Sequence, residues 1–425
     1  MKVLWFTNTP CGSIRRHTGK VIIGGWLISL EAELKKHTEI DLNVAYISSV
    51  DETPFNYDRV HYIPIYENIG QANGLWRILK RHDNIETKNK RLLPLLLKAI
   101  EIVKPDLIHV HGTEERFGLI ADYRKDIPIA YSIQGVLSPI DEKYFAGLPL
   151  DFVLKKENIL NRLRGISIKN NIKNIQERSK RESHYLQNAR YILGRTFWDR
   201  RVCLLFNPNM KYYQAEELMR VDFYHTEWKI PSTDRFTIIS TISGAIYKGY
   251  ETIIHTAYLL KQYADFDFEW RIVGYNADNP AVKMSEYYKG LKSSDCNIKL
   301  LGKCDAPTLI KELLSSHVYC HASHIENSPN SVCEALLIGI PTIASFAGGT
   351  ATLTKGDESE ALLYQDGDPY VLAGSIVDIH NNYTSFIKKG KKARQSALYR
   401  HNTKRVSDSY VKIYKDIIDD FNKEK

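Results

Sequence analysis

Nowhere in this chain of 425 residues do about 18 apolar residues run together, so no membrane-spanning helix is expected. The opening MKVLWFTNTP has one lysine and an apolar run that soon meets a polar turn. It is too short for a secretory leader and reads as a first buried strand. The six cysteines (Cys11, Cys203, Cys296, Cys304, Cys320, Cys333) form no CxxC pair and no framework spacing. That excludes a disulfide scaffold and a cysteine zinc site, and it points to a reduced, cytoplasmic setting. Internal repeats and low-complexity tails are also absent, which leaves an ordinary soluble globular composition, 43% hydrophobic and 25% charged. The length suits two domains of roughly 200 residues each.

The net charge of +8 is concentrated rather than spread. Residues 151–201 hold 13 Lys/Arg against 5 Asp/Glu, while the rest of the chain holds 45 of each sign. This segment reads as helix. It is either a solvated helical face or a patch that meets an anionic membrane surface or phosphorylated lipid. No aromatic-basic recognition motif accompanies the charge, so nucleic acid is not expected as a partner.

Short apolar runs alternate with amphipathic helical patterns, the mark of α/β architecture with parallel sheets. VLWFTN, DLNVAYI, VHYIPI, DLIHVHG, IPIAYSIQG and ARYILG are strand candidates, with GGWLISLEAELKKH and RLLPLLLKAIEIVK as helices between them. The pattern then restarts with RFTIISTISG, FEWRIVG, NIKLLG, SHVYCHAS and IPTIASF. Two doubly wound, Rossmann-like domains are expected, spanning 1–225 and 236–404, with a break in the polar stretch 225–235. An amphipathic helix over 405–425 is expected to pack back on the first domain. Open α/β sheets bind ligands at the carboxyl ends of their strands, so two such crevices can face each other across a cleft.

The stretch ENSPNSVCEALLIGIP, 326–341, places Glu326 and Glu334 on either side of a turn-rich run that opens a helix. Ser331 three residues before Glu334 fits a capping box, a purely structural role. Glu326 lies ahead of the helix, where ligands bind. Between the acids, SPNS presents backbone N–H groups at a helix N-terminus, an arrangement suited to phosphate. Carboxylates repel phosphate but accept hydrogen bonds strongly from hydroxyls. A ligand with a phosphate centre and hydroxyl-bearing ends satisfies both demands, and a nucleotide-diphosphate sugar has that layout.

E-x7-E followed by AL-x-x-G-x-P resembles the signature of the retaining glycosyltransferases of family 4, which have the GT-B fold. Upstream, ISGAIYKGYETIIHTAYLL resembles the family's lysine-glycine loop, and NIKLLGKCDAPTLIKELLSSHVYCHAS the segment leading to the acids. Downstream, TIASFAGGTATL resembles the end of its donor site. The likeness covers about residues 236–366 and recurs weakly in MKVLWFTNTP and GGWLISLEAEL. It implies Glu334 as ribose ligand and Glu326 as the group facing the donor sugar near the reacting carbon. The amides of Asn330, Ser331 and Val332 would meet the distal phosphate. Lys248, beside Gly249 and in one loop with Ser243 and Gly244, would neutralise the diphosphate. A lysine at a helix start opposes the dipole unless an anion sits there, which supports that role. Ser243 stands where the family has an arginine, so Arg15, Arg16, Lys20, Arg195 or Lys303 are candidates to replace it.

In the first half, TNTPCGSIRRHTGKVIIGG is a long loop ending at Gly24 and Gly25, where backbone can approach phosphate or donor sugar. Arg15, Arg16, His111, Glu114 and Arg195 are the acceptor-side candidates, with Asp199 and Glu217 as further cleft residues. His109 and His111 share one strand face, but no third ligand stands at a recognisable spacing, so no metal is expected. Core packing is expected of Phe197, Trp198, Tyr212 and Tyr213. Gln134 occupies the position of a histidine in many family members; it can hydrogen-bond the donor sugar but not act as a base.

The resemblance implies sugar transfer with retention, without cofactor, from a nucleotide-diphosphate sugar to a glycan or lipid-linked acceptor. Surface polysaccharide assembly, of exopolysaccharide, capsule or lipopolysaccharide, is the expected setting, at the inner membrane face. An epimerase or phosphorylase on the same fold, or a non-catalytic sugar-nucleotide binder, are the alternatives. An epimerase needs no acceptor, a phosphorylase needs inorganic phosphate, and a binder has no turnover to lose.

Overall fold

The computed structural model of the protein describes residues 1–18, 25–67, 85–157 and 167–424. The first half builds one sheet from β1 (Lys2–Thr7), β2 (Asp41–Ser48), β3 (Phe55–Tyr57), β4 (Val60–Tyr66), β5 (Leu107–His111), β6 (Ile129–Ser132), β7 (Tyr191–Gly194) and β8 (Lys211–Gln214). Their order is β3-β4-β2-β1-β5-β6-β7-β8, and only the β3–β4 pair is antiparallel. The second sheet has β9 (Phe236–Thr241), β10 (Phe268–Val273), β11 (Ile298–Gly302), β12 (Val318–His321), β13 (Thr342–Ser345) and β14 (Leu362–Tyr364). It is parallel throughout, in the order β11-β10-β9-β12-β13-β14. Eleven of these strands coincide with the apolar runs read from the sequence. The other three, β3, β8 and β14, are short edge strands outside the runs read from the sequence.

Helices cover the sheets where their apolar stripes dictate. In α1 (Trp26–Leu34), Trp26, Leu27, Leu30 and Leu34 face inward, at the 3–4 residue spacing of one helical face. Further helices include α2 (Phe197–Phe206), α3 (Tyr250–Tyr263), α4 (Asn330–Ile338) and α5 (Thr403–Asn422). Although last in the chain, α5 buries Val406, Tyr410, Val411, Tyr414 and Ile417 in one cluster with Trp5 and the α1 stripe. Each such side chain contributes about 1.5–3 kcal/mol on burial. The Trp5 indole N–H donates to the Tyr414 hydroxyl at 3.0 Å, and that oxygen lies 2.8 Å from His109 Nδ1.

The chain changes sheets earlier than its polarity suggests. Leu218 belongs to the first core, whereas Met219, Phe223 and Trp228 belong to a cluster of the second. The polar stretch 225–235 is anchored there: the Trp228 amide donates to Ile338 O and its indole to Ser316 O, each at 2.8 Å. No described helix is long and apolar enough to cross a membrane.

Sheet order fixes where a ligand can enter. In the second sheet β9 has β10 on one side and β12 on the other, so the crossovers diverge and a crevice opens at the carboxyl ends of β9 and β12. The first sheet has its own such point at β1 and β5.

Candidate active site

A cavity of about 470 Å³ lies between the two units. The second unit lines it with Thr241 at the end of β9, Ser243 just after it, Lys248, His321 at the end of β12, and Ser323, Glu326, Ser328, Pro329, Asn330, Ser331 and Glu334 around the start of α4. Gly25, Trp26, Gln134 and Arg195 line it from the first, with Leu218, Met219 and Arg220 on the segment crossing between them.

Lys248 ends a short 3-10 turn and is followed by Gly249, at φ +79°. A side chain at Gly249 would place its Cβ 1.9 Å from the Ala322 carbonyl oxygen, so a glycine is needed for this loop to reach the exit of β12. There Lys248 forms an ion pair with Glu326, and His321 Nε2 lies 3.8 Å from the same carboxylate. Burial pushes the Glu326 carboxyl up, but Lys248 and His321 outweigh it and hold it at about 2. Glu326 is therefore ionised across the working pH range. Its carbonyl accepts the Gly349 N–H at 2.8 Å, and Gly348 packs so close to that carbonyl that a Cβ would fall 1.9 Å from it. The GG pair of TIASFAGGTATL thus braces the acid's backbone.

The entry to α4 differs from the capping box expected of Ser331 and Glu334. Pro329, in extended conformation, precedes the helix and no side chain caps it. Ser331 is already the second helical residue. Glu334 lies a turn inside, where it accepts two hydrogen bonds from Arg220, Nε and Nη2 each at 2.6 Å. A guanidinium fork is a stronger partner for a buried carboxylate than a backbone amide. The Val332 N–H donates to Pro329 O at 3.0 Å and its side chain is in the core, which takes Val332 out of the expected phosphate contacts. The amides of Asn330 and Ser331, in the first turn, have no intrahelical acceptor and face the cavity end of the helix.

The first unit's wall is built differently. Arg195 follows β7 and is almost fully buried. Its Nε is 3.4 Å from Glu217 Oε2 and its guanidinium lies 4.1 Å over the Trp26 ring, while Nη2 is buried without a partner. Gln134, two residues past β6, also buries its Nε2 unpartnered. The next turn is held by a capping box between Thr196 and Asp199. Thr196 Oγ1 donates to Asn327 Oδ1 at 2.6 Å, and Asn327 Nδ2 donates to Asp199 Oδ2 at 2.9 Å. This lattice fastens the units together one residue from Glu326. Beneath it, burial pushes Glu217 up, but Arg195, Arg400 and His401 outweigh that and hold it at about 2.

Of the residues expected from sequence, the structure gathers Glu326, Gln134, Lys248, Ser243, Asn330, Ser331, Glu334, Gly25 and Arg195 at one cavity. Gly249 shapes the loop from behind, and Gly244 lines a separate pocket with Tyr144 and Phe145. Lys303 is exposed just past the end of β11. Arg16 stacks 3.9 Å over Phe55, and neither it nor Arg15 lines the cavity. His111 is buried 5.6 Å from the Trp26 ring, with both ring nitrogens unpartnered. The Glu114 carboxyl folds back over Gly112, and burial pushes it up to about 7. Gly24 and Lys20 lie outside the described residues. Phe197, expected in the core, is 63% exposed, because it opens α2 at the surface. Sequence reading missed Arg220, Trp26 and His321, whose roles depend on partners far along the chain.

Among the described residues, Glu217, Cys333 and His401 bring ligand-type atoms within 4.8 Å of one another. The grouping is not a vacant cage: Glu217 is already paired with Arg195, and burial pushes the Cys333 thiol up.

Residues 234–382, about a third of the chain, match the family described as Glycosyl transferases group 1. No curated protein matches the sequence. Among solved structures, sucrose-phosphate synthase from Thermosynechococcus elongatus is similar, at 14% identity, TM-score 0.67, 98% of this chain and 99% of that one. HepE from Anabaena in complex with UDP superposes at 16% identity and TM-score 0.62, covering 97% and 99%. A variant of TarM from S. aureus, in complex with fondaparinux, alpha-GlcNAc-glycerol and UDP, superposes at 12% identity and TM-score 0.64, covering 97% and 99%. At these identities the likeness shows the fold: two Rossmann-like units facing across a cleft, the GT-B arrangement.

Proposed function

We propose that this protein is a glycosyltransferase that moves a sugar, with retention, from a nucleotide-diphosphate donor to a glycan or lipid-linked acceptor. The reading rests above all on the convergence of Lys248, Glu326, Glu334 and the first amides of α4 at one cavity between the units. The group 1 match over 234–382 covers the segment that supplies these groups. In this reading Glu334 accepts hydrogen bonds from the ribose, the Asn330 and Ser331 amides hold the distal phosphate, and Lys248 balances the diphosphate charge. Glu326, ionised beside Lys248, faces the sugar, where a carboxylate stabilises a developing oxocarbenium-like centre. As the bond from the sugar carbon to the phosphate oxygen breaks, an acceptor hydroxyl bonds to that carbon from the same face. Its proton passes to the departing phosphate oxygen. No side chain need act as a base, consistent with glutamine at 134, and no metal is called on.

The acceptor setting proposed is surface polysaccharide assembly, with the basic segment touching an anionic membrane. Lys169, Lys173 and Lys180 of the 168–188 helix are exposed and support it. Arg178, Arg181, Arg190 and Arg195 are engaged with other groups of the protein and do not add to that face. Binding to anionic liposomes at low salt should be lost when the three lysines become glutamine.

A thermal-shift screen against UDP-, GDP-, ADP- and dTDP-sugars tests the donor reading. One nucleotide series should stabilise the protein in proportion to the logarithm of its concentration. A flat response across all four, at millimolar ligand, would refute it.

A further inference from the structure

Arg220 stands on neither sheet. It lies on the segment crossing between the units, two residues after Leu218 leaves the first core and three before Phe223, which is buried in the second. Its guanidinium lies 4.6 Å from the Phe223 ring centroid, and its side chain is 20% exposed toward the cavity. From there Nε–H and Nη2–H each meet one oxygen of Glu334 at 2.6 Å. A two-point contact fixes the plane of both groups, which a single contact cannot do. It also uses only part of the carboxylate's capacity: about four lone-pair sites exist, and the fork takes two. The remaining sites can accept from two neighbouring hydroxyls.

We propose that Arg220 is a positioning residue of the nucleotide subsite, clamping the Glu334 carboxylate in the plane that offers its remaining lone pairs to a ribose diol and supplying its counter-charge. The proposal rests on the reading of Glu334 as the ribose ligand. It makes nucleotide recognition depend on the crossing segment as well as on the second unit. The electrostatics agree with the geometry. Burial raises the Glu334 carboxyl above its ordinary range, and Arg220 opposes that rise. Without the guanidinium, burial acts alone, and a protonated carboxyl accepts less well from a diol. Of the other groups nearby, Tyr319 on β12 and Cys333 on α4 are both held protonated by burial. Among these groups Glu334 is the one whose charge the guanidinium of Arg220 favours against burial.

The test is calorimetric titration of the full chain with the nucleoside diphosphate that the wild type binds, and with its 2′-deoxy form, from pH 5.5 to 9. Arg220→Gln should weaken binding about tenfold or more at pH 7 and recover toward wild type as pH rises. Arg220→Lys, which restores charge without the fork, should fall between them. Glu334→Gln should bind weakly at every pH and no longer discriminate against the 2′-deoxy form. If Arg220→Gln and Arg220→Lys keep the wild-type pH profile and the wild-type preference for the ribose form, the ion pair merely ties the crossing segment down and the proposal is overturned. If the wild type binds a nucleoside diphosphate but Glu334→Gln leaves affinity unchanged, the ribose reading itself fails, and the proposal with it.

Discussion

The two walls of the cavity differ in how their charged and polar groups are satisfied. On the second unit, Lys248 is paired with Glu326, and Glu334 is paired with Arg220 from the crossing segment. On the first unit, Arg195 Nη2 and Gln134 Nε2 are buried donors with nothing to donate to. Buried polar groups in folded proteins are nearly always paired, so an exception asks for a reason. In the proposed reading, the charges that meet the donor are held by mutual pairing on one wall, while the other offers donors to oxygen atoms that arrive with it. One wall is organised in advance, and the other is completed on binding.

The largest expected effect lies on the organised wall. In the proposed reading, Glu326→Gln keeps the shape but removes the negative charge that faces the donor sugar, and Lys248→Met removes the positive charge that balances the diphosphate. Either should lower kcat by about 10²- to 10³-fold, the range for deleting one aligned electrostatic group. The double variant should cost far less than the product of the two, because each single change leaves the other charge buried and unpaired. Steady-state kinetics on all three variants checks this. Multiplicative losses would mean that the two side chains act independently.

A second effect separates the walls by pH. Two residues ahead of Glu326, His324 is buried between Glu251, 2.7 Å from Nε2, and Asp366, 2.7 Å from Nδ1. Lys143 reaches across from the first unit to Asp366 at 2.7 Å and to the His324 carbonyl at 3.0 Å. Burial pulls the imidazole down, but Asp366 and Glu251 outweigh it and push it up to about 9. A folded value above the unfolded one means that stability is fully present below about pH 6.5 and is lost as pH rises through about 9. The loss is roughly 3 kcal/mol. Urea unfolding at pH 6 and pH 9.5 should show it, and His324→Gln should flatten the difference.

How much of this could be read from the chain follows from where each partner lies. The strands came through because parallel strands buried on both faces read as near-continuous apolar runs, as in VLWF of β1. β3 and β8, as FNY and KYYQ at the sheet's edges, lack that run and gave no signal. The chain passes from one core to the other ahead of polar 225–235, and that polarity hides Trp228, whose anchoring partners lie far along the chain, at Ile338 and Ser316. Glu326, Glu334 and the α4 amides were legible because one helix entry carries them all within nine residues. Arg220 was not, since its partner is 114 positions away and no local pattern marks either as belonging to the other. The open donors of the first wall are a property of space, not of sequence.

The smallest effect is also the most discriminating. Gln134 buries an amide nitrogen with no acceptor, which in the ligand-free protein is a standing penalty of about 1–3 kcal/mol. Replacing it with leucine, of similar volume, removes the unpaired donor. The free protein should then be unchanged or more stable, by up to about 1 kcal/mol. Binding should respond the other way: turnover should fall about tenfold, for want of one hydrogen bond made only when the cavity is filled. On the opposite wall, losing one member of the Lys248–Glu326 or Arg220–Glu334 pair lowers stability and activity together, because the other member is left buried and unpaired. Thermal unfolding and kcat/KM measured on the same Gln134→Leu preparation decide the matter. A variant that loses stability and keeps its activity would show that the amide is a structural donor with a partner in solution, and the contrast between the walls would dissolve.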